Sequence, residues 1–206
     1  MYVPRFNQVQ DEAEIRAMVA GSGVGELITT AGDGYPRSTL LPVLWEGDRV
    51  IAHFARANPH WQTIAPDAPA LLVCAGAGAY VSPAWYATKA EHGRVVPTWN
   101  YSSVHLTGRV RVHEDVAWLR DAVTRLTDHH ESGRADRWHV GDAPATYIDG
   151  QLRGIVGVEM IVETVEGKAK LSQNRSEDDR RGVVEGLSAG SAQDTLVADQ
   201  MRAGLS

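Results

Sequence analysis

The sequence predicts a mainly β protein with peripheral helices (α+β), built as a small closed or split antiparallel barrel. Short apolar segments of strand length follow one another between residues 26 and 113, with turn signals such as Gly32-Asp33-Gly34 between them. The connections between these segments are too short for the crossovers that parallel strands need. The longer helical patterns lie before and after this run, so the helices are expected on its periphery.

The order of the elements follows from local signals. Asp11 and Glu14 have the spacing of a capping box and predict an N-terminal helix. Two turn signals, Ala31-Gly32-Asp33-Gly34 and Glu46-Gly47-Asp48, separate the first strands. The predicted strands are 26–30, 37–45, 49–54, 70–75, 78–81 and 103–113, with helices at 59–65 and 115–128.

The last part of the chain predicts a closing hairpin and two helices. Strands are expected at 154–164 and 168–171, joined by a turn at Glu166-Gly167. Ser176 and Ser191 are each followed three residues later by Asp, which predicts two helix starts. The expected domains are a split β-barrel with peripheral helices at 1–172 and a C-terminal helical appendage at 173–206.

The composition is that of a soluble globular chain. Its 206 residues are 43% hydrophobic and 22% charged, which is enough for one domain with a core, or a domain with a small appendage. The formal net charge of -6 opposes non-specific nucleic-acid binding, which needs a basic surface. We therefore expect a small-molecule partner before a nucleic acid.

Three local features bear on the compartment. Acidic residues at 11, 12 and 14 stand where a signal peptide needs an apolar segment. The uncharged segment Ala68–Thr88 has nearly the length of a membrane span, but Pro and Gly interrupt it, so two short buried strands are expected there. Cys74 has no intramolecular partner and is expected to be a buried, inert thiol. We expect a cytoplasmic protein without a membrane segment.

The segment His53–Trp61 is the most informative motif because it joins a strand to a helix with His, Arg, Asn and Trp side chains. The guanidinium of Arg56 matches phosphate oxygens, and the amides of a helix that starts at Pro59 add an anion site. The alternative is an ordinary helix start with Asn58 as its cap and a solvated arginine.

Two segments rich in proline and polar aromatics, Tyr80–Tyr86 and Val96–Tyr101, flank a loop expected at 89–94. Held by barrel strands, they would form the wall of a cleft that binds a flat ring, although rigid turns and core packing explain them equally well. The polar cluster Lys170–Arg175 precedes a helix start, where it either contacts a ligand or caps the helix. His105 lies on the less apolar face of its strand, where a structural role is the commoner one.

Several familiar catalytic signatures are missing from the sequence. It has no metal-ligand spacing, no paired cysteines and no Walker loop, and no Gly-x-Ser-x-Gly motif. The glycines at 21, 23 and 25 precede a strand instead of following one, which excludes a Rossmann fingerprint.

Taken in order along the chain, these segments resemble the PaiB-like FMN-binding negative transcriptional regulators. The resemblance implies a split antiparallel β-barrel of the FMN-binding type, similar to that of pyridoxamine phosphate oxidase. It also implies a homodimer with FMN at the subunit interface. The matching segments are Met1-Tyr2-Val3-Pro4, His53–Trp61, Tyr80–Tyr86, Val96–Tyr101 with His105, Gly154-Ile155-Val156-Gly157 and Glu166–Arg175.

The resemblance further implies which residues contact the flavin. The phosphate is expected near the strand-to-helix turn, and the strand that carries Arg37 is expected beside the isoalloxazine. Trp99, Asn100 and Gln173 are candidates for the ring edge, from the same subunit or from its partner. No catalytic residue is implied. The expected cofactor-binding residues are Arg37, Ser38, Thr39, Leu40, His53, Arg56, Asn58, Trp61, Trp99, Asn100, His105 and Gln173.

Three functions follow as hypotheses. The first is a flavin-dependent redox protein, an oxidoreductase or a small-molecule sensor that acts indirectly on transcription. The second is a repressor that binds DNA directly, although the last helix carries Asp194 and Asp199 against one Arg202, and acidic side chains repel phosphate. The third is a haem-binding or haem-degrading protein with His53, His105 or His129 as the axial ligand.

Overall fold

The fold class is confirmed by a computed structural model that describes residues 1–205. Across these residues, eight antiparallel strands form one open sheet, and six α-helices accompany it. The strands are β1 (Gln8–Val9), β2 (Val24–Thr30), β3 (Pro36–Pro42), β4 (Leu44–Glu46), β5 (Arg49–Ala55), β6 (Ala68–Val81), β7 (Thr98–His113) and β8 (Ile155–Lys170). The α-helices are α1 (Glu12–Ser22), α2 (Thr88–His92), α3 (Val116–Glu131), α4 (Ala145–Leu152), α5 (Glu177–Ser188) and α6 (Ala192–Ala203).

The strand order is β3-β2-β6-β7-β8-β5-β4, and β1 adds to β8. Of the two barrel forms that the sequence allows, the closed one is therefore wrong, because β3 and β4 remain at the ends of the strand order in residues 1–205. The hairpin predicted at Ala31-Gly32-Asp33-Gly34 is confirmed by the pairing of Thr30 with Pro36. β3 is thus an edge strand that pairs with β2 alone in this part of the chain.

Two predicted breaks in the strands are wrong, and in both cases the glycine serves a close approach. The segments 70–75 and 78–81 belong to the single strand β6, where a Cβ at Gly76 would lie 2.1 Å from the Ser102 hydroxyl of β7. The expected hairpin at Glu166-Gly167 is part of the continuous strand β8. Gly167 pairs with Val9, and a Cβ there would lie 2.8 Å from the Ile15 side chain of α1.

The chain divides into two compact units. Unit 1 comprises residues 1–18, 75–104 and 166 onward, and unit 2 comprises residues 19–74 and 105–165. In unit 1, α5 and α6 pack on the last residues of β6, with Val81, Val183, Val197 and Met201 fully buried. The buried core of unit 2 includes Phe54, Leu106, Val110, Leu119 and Val156.

Local signals for helix starts are confirmed throughout. Asp115, Ser176 and Ser191 each accept a hydrogen bond from the backbone of the helix that follows. The helix expected at 59–65 is a 3-10 helix, Pro59–Thr63, and Asn58 caps it through the backbone amide of His60. Helices α2 and α4 are not anticipated by the sequence. The thiol of Cys74 is buried as expected, and burial raises its pKa to about 11.

A buried imidazole joins the turn after β5 to the edge of the sheet in unit 2. The Nε2 atom of His60 lies 2.9 Å from the Thr29 hydroxyl of β2, and Nδ1 lies 2.8 Å from the Thr39 hydroxyl of β3. The Asn58 amide donates to the same Thr39 hydroxyl at 3.2 Å, and the ring of Phe54 contacts the imidazole edge-on at 5.3 Å. Burial, and then the charge of Arg37, lower the pKa of His60 below 6.5, so the ring is neutral at pH 7.

We expect the stability of the protein to fall below neutral pH because of this ring. The pKa of His60 is lower in the folded state, so the unfolded state binds more protons as the pH drops through 6.5. His53 contributes with the same sign, since burial lowers its pKa as well. Urea unfolding between about pH 7.5 and about pH 5.5 should show this loss. The free energy of unfolding should fall less steeply with decreasing pH in His60→Gln than in the wild type. His92→Gln, at an exposed site, is the control. If the pH dependence of the unfolding free energy in His60→Gln equals that of the wild type and of His92→Gln, His60 is not its cause.

A pair of glycine substitutions tests the packing of unit 1. A Cβ at Gly182 in α5 would lie 2.1 Å from the Trp85 carbonyl oxygen, so Gly182→Ala should lower the free energy of unfolding by about 1–3 kcal/mol. The matched control is Gly150→Ala in α4, where the nearest atom is 3.9 Å away and alanine should stabilise the helix by about 0.5–1 kcal/mol. Thermal unfolding measures both, and equal effects of the two substitutions would refute the close packing.

Candidate functional site

Strand β3 presents the first candidate surface, in unit 2. Its residues Arg37, Ser38 and Leu40 are exposed, and Leu40 is 63% accessible to solvent. Thr39 lies on the same face of the strand as Arg37 and belongs to the His60 network described above. Since no strand in residues 1–205 pairs with the outer edge of β3, its backbone N–H and C=O groups there are available to a ligand or a second chain.

Arg37 carries the charge of this surface. One terminal nitrogen lies 2.6 Å from the Asp33 carboxylate, and both side chains remain about half exposed. Its positive charge also contributes to the lowered pKa of His60, so the guanidinium acts on the same network as Thr39. Beside it, the Ser38 hydroxyl donates to the Glu26 carboxylate of β2. Arg37 therefore combines an exposed guanidinium with a rigid polar support.

Arg56, which the sequence assigns to the phosphate, is held by groups of its own unit. Its guanidinium donates to the carbonyls of Arg153 and Ile155 at 2.9 Å and 3.2 Å and to the Glu114 carboxylate at 2.6 Å. The Trp61 indole donates back to the Arg56 carbonyl at 3.0 Å. This arrangement fixes the strand-to-helix turn, and a ligand phosphate would have to displace Glu114.

His53 lines an apolar cavity of about 370 Å³ in unit 2, next to side chains of α3 and α4. Its Nδ1 atom is buried without a hydrogen-bond partner, and burial lowers the pKa of the ring. The imidazole is therefore neutral at pH 7, which makes it a hydrogen-bonding group and not a counter-charge for phosphate. His105 lies on β7 in the same unit and is half-buried.

The remaining expected residues lie in unit 1. Trp99 is 57% exposed and lines a cavity of about 440 Å³. The Asn100 amide is fully buried, and it accepts from the Ser172 hydroxyl at 3.1 Å and donates to the Met201 sulfur. The Gln173 side chain folds back onto the backbone of Ala169 and Leu171. Of these three residues, only Trp99 is thus open to a ligand in this arrangement.

Sequence reasoning missed two residues of the two surfaces, His60 and Lys168. The sequence alone predicts for His60 only a place in a helix start, because its partners Thr29 and Thr39 are remote in sequence. Lys168 and Lys170 line the unit 1 cavity side by side. Lys170 belongs to the polar cluster that the sequence singles out, and within the predicted strand 168–171 a spacing of two residues puts Lys168 on the same face.

In residues 1–205, no helix is long and apolar enough to cross a membrane. No group of three or more His, Cys, Asp or Glu side chains in that range is placed to hold a metal ion.

Comparison with known proteins identifies relatives of the chain. Residues 1–164 match the family model described as "Putative FMN-binding domain". The chain is 32% identical over 191 residues to the protease synthase and sporulation protein PAI 2 of Bacillus subtilis, covering 91% of this chain and 89% of that protein.

Solved structures show the same fold. The FAD and heme binding protein of Mycobacterium smegmatis superposes with a TM-score of 0.61 at 16% identity, covering 90% of this chain and 81% of its own. The flavocytochrome Anf3 of Azotobacter vinelandii superposes with a TM-score of 0.58 at 17% identity, covering 82% and 72%. The sequence matches confirm the resemblance derived from the motifs, and the chain belongs to the PaiB-like family of FMN-binding split-barrel proteins.

Proposed function

We propose that this chain binds FMN on the exposed surface of β3, with the phosphate at Arg37 and Asn58 and the isoalloxazine along the strand. The observation that carries the proposal is the exposed Arg37 guanidinium on an edge strand whose outer side is unpaired in residues 1–205, next to the Thr39–His60–Asn58 network. The family description gives the ligand class. Arg37 replaces Arg56 as the proposed phosphate contact, because the N–H groups of Arg56 already donate to other groups of the protein.

The phosphate contacts follow from the donors at this surface. Arg37 offers a planar set of N–H donors that matches two phosphate oxygens, and such charge-assisted bonds are the stronger kind. Asn58 uses one amide hydrogen on Thr39, and no described hydrogen bond uses the other. The neutral His60 ring fixes both partners without adding a competing charge. A phosphate would replace Asp33 as the partner of Arg37.

The flavin ring fits the strand edge for a separate reason. Its pyrimidine portion carries hydrogen-bond donors and acceptors that suit free backbone groups, and Leu40 offers an apolar contact beside them. When bound, FMN supplies the redox chemistry, while the protein supplies orientation and electrostatics. We propose a flavin-dependent redox or small-molecule-sensing role, with an FMN-dependent oxidoreductase as the enzymatic form.

The other expected contacts stay predictions. Arg56, His53 and Trp61 lie close to the turn that Asn58 caps, and His105 lies on β7. Trp99, Asn100 and Gln173 would reach a flavin ring edge if a partner subunit supplies them, as the homodimer prediction implies. The homodimer and the cytoplasmic location likewise stay predictions.

Any action on transcription is proposed to be indirect. In α6, Asp194 is used in the helix cap and Arg202 is paired with Asp199, so this helix offers little positive charge to a DNA backbone. A gel-shift experiment at low salt with the promoter of a responsive gene should show no specific complex. Tight sequence-specific binding would instead support a direct repressor.

Haem binding is the second candidate, and the His53 cavity is the observation that favours it. An apolar lining with one buried imidazole nitrogen lacking a partner is the arrangement that an axial ligand would need. Titration with haem, followed in the Soret region, distinguishes the candidates. A Soret band that is lost in His53→Ala would favour haem over the flavin proposal.

The central test is the affinity for FMN of three single variants, measured by flavin fluorescence and calorimetry. Arg37→Ala should weaken binding by about 1.5–3 kcal/mol, because a charged hydrogen bond to phosphate is lost. Arg134→Ala is the matched control, since Arg134 is also exposed and paired with a carboxylate a few residues away in sequence, and it should leave the affinity unchanged.

Asp33→Asn should change the affinity for FMN in the opposite direction to Arg37→Ala. Removing this carboxylate frees the guanidinium of Arg37 and removes a repulsive charge, so FMN should bind more tightly, by about two- to tenfold. If Arg37→Ala and Asp33→Asn both leave the affinity at the wild-type value, the phosphate site is elsewhere. In that case Arg56→Ala identifies whether the strand-to-helix turn holds it.

A further inference from the structure

The cavity of about 440 Å³ in unit 1 gathers three cations without a counter-charge. Lys168, Lys170 and Arg175 line it, and none of the described residues in its lining is Asp or Glu. This is unusual in a chain with a net charge of -6, where most arginines have carboxylate partners. Cations that converge on a concave surface without a carboxylate indicate a site for an anion.

The three cations are held by neutral groups. The ammonium of Lys168, a residue only 9% exposed, donates to the Tyr101 hydroxyl at 2.7 Å. The ammonium of Lys170 donates to the Thr98 hydroxyl at 2.6 Å and to the Trp99 carbonyl. Arg175 lies over the Tyr86 ring, 4.7 Å from its centroid. These contacts fix the positions of the charges without neutralising them.

The electrostatics agree with the geometry. Desolvation first, and then the charges of Lys168 and Arg175, lower the pKa of Lys170. A lysine whose pKa is lowered by neighbouring cations is stabilised in its charged form when an anion enters beside it.

The walls of the cavity favour a flat ring. Tyr2, Phe6, Tyr86, Trp99 and Tyr101 line it, and aromatic faces of this kind stack on planar ligands. The Tyr86 hydroxyl is buried and has no hydrogen-bond partner in residues 1–205. A buried polar atom without a partner, at the wall of a cationic cavity, is a group that a bound ligand would satisfy.

We propose that this cavity, whose lining includes no residue of β3, is a binding site for a small aromatic anion, a ring that carries a carboxylate or a phosphate, and that it binds this anion independently of FMN. Lys168, Lys170 and Arg175 bind the anionic group, and the tyrosine and tryptophan rings hold the planar part. The site would take a substrate or an effector of this chain. Its existence does not depend on the FMN proposal.

Calorimetric titration with phenyl phosphate tests the site directly. Phenyl phosphate should bind at least about tenfold more tightly than either inorganic phosphate or phenol, because each of these lacks one half of the recognised chemistry. Lys170→Met should weaken binding by about tenfold or more, and Tyr86→Phe should weaken it by a smaller factor. Lys89→Met is the matched control, since Lys89 lies in α2 outside the cavity lining, and it should bind as the wild type does.

The small number of lysines allows a second, residue-specific readout. The chain has only Lys89, Lys168 and Lys170, so selective 13C labelling of lysine side chains gives three signals. Phenyl phosphate should raise the pKa of Lys170 and leave the chemical shift of the Lys89 signal unaltered. A Lys170 titration that ignores the ligand, or equal losses of affinity in Lys170→Met and Lys89→Met, would overturn the proposal.

A competition experiment with FMN tests whether the cavity and the flavin surface bind their ligands independently. Protein saturated with FMN should bind phenyl phosphate with the same affinity as flavin-free protein. Competition between the two ligands would show that the cavity is part of the flavin site and would overturn the claim of independent binding. Absence of FMN binding would refute the proposed function alone, because phenyl phosphate is measured independently.

Discussion

The buried imidazole of His60 is the contact on which the flavin surface depends. It fastens the turn after β5 to the hydroxyls of Thr29 and Thr39, and so it fixes an edge strand that would otherwise be held on one side only. The contact works because the ring is neutral, so that one nitrogen donates and the other accepts. A charged ring would place a second cation beneath Arg37. The same neutrality that supports the strand therefore also leaves Arg37 as the dominant charge at the surface.

The two candidate sites solve anion recognition in different ways. Arg37 is exposed and already paired with Asp33, so a phosphate must compete with a carboxylate and binding should be reversible and sensitive to salt. The cations of the unit 1 cavity are less solvated and have no carboxylate among the lining residues. An anion there meets charges that are in place before it arrives, which is the preorganised arrangement that gives affinity to small ligands. Both sites concentrate positive charge locally in an acidic chain.

The sequence is informative where a feature depends on neighbours along the chain. The helix starts at Ser176 and Ser191 are predicted correctly from spacing alone, and the hairpin between β2 and β3 is predicted correctly from its turn signal. Prediction from the sequence fails where the role of a residue depends on a contact with a residue that is distant along the chain. Gly76 and Gly167 suggest strand breaks, but each lies within a continuous strand and leaves space for a side chain of another element. The His60 network and the ion pair of Arg56 with Glu114 cannot be predicted from the sequence for the same reason. The His60 network positions the candidate flavin surface.

The most direct test of the central claim compares FMN with riboflavin, which lacks the phosphate, in the wild type and in Arg37→Ala. The proposed surface predicts that FMN binds the wild type at least about tenfold more tightly than riboflavin. It also predicts that this preference largely disappears in Arg37→Ala, while riboflavin affinity changes little. A preference for FMN that survives the loss of Arg37 would contradict the placement of the phosphate, and equal affinity for both flavins in the wild type would contradict a phosphate site altogether.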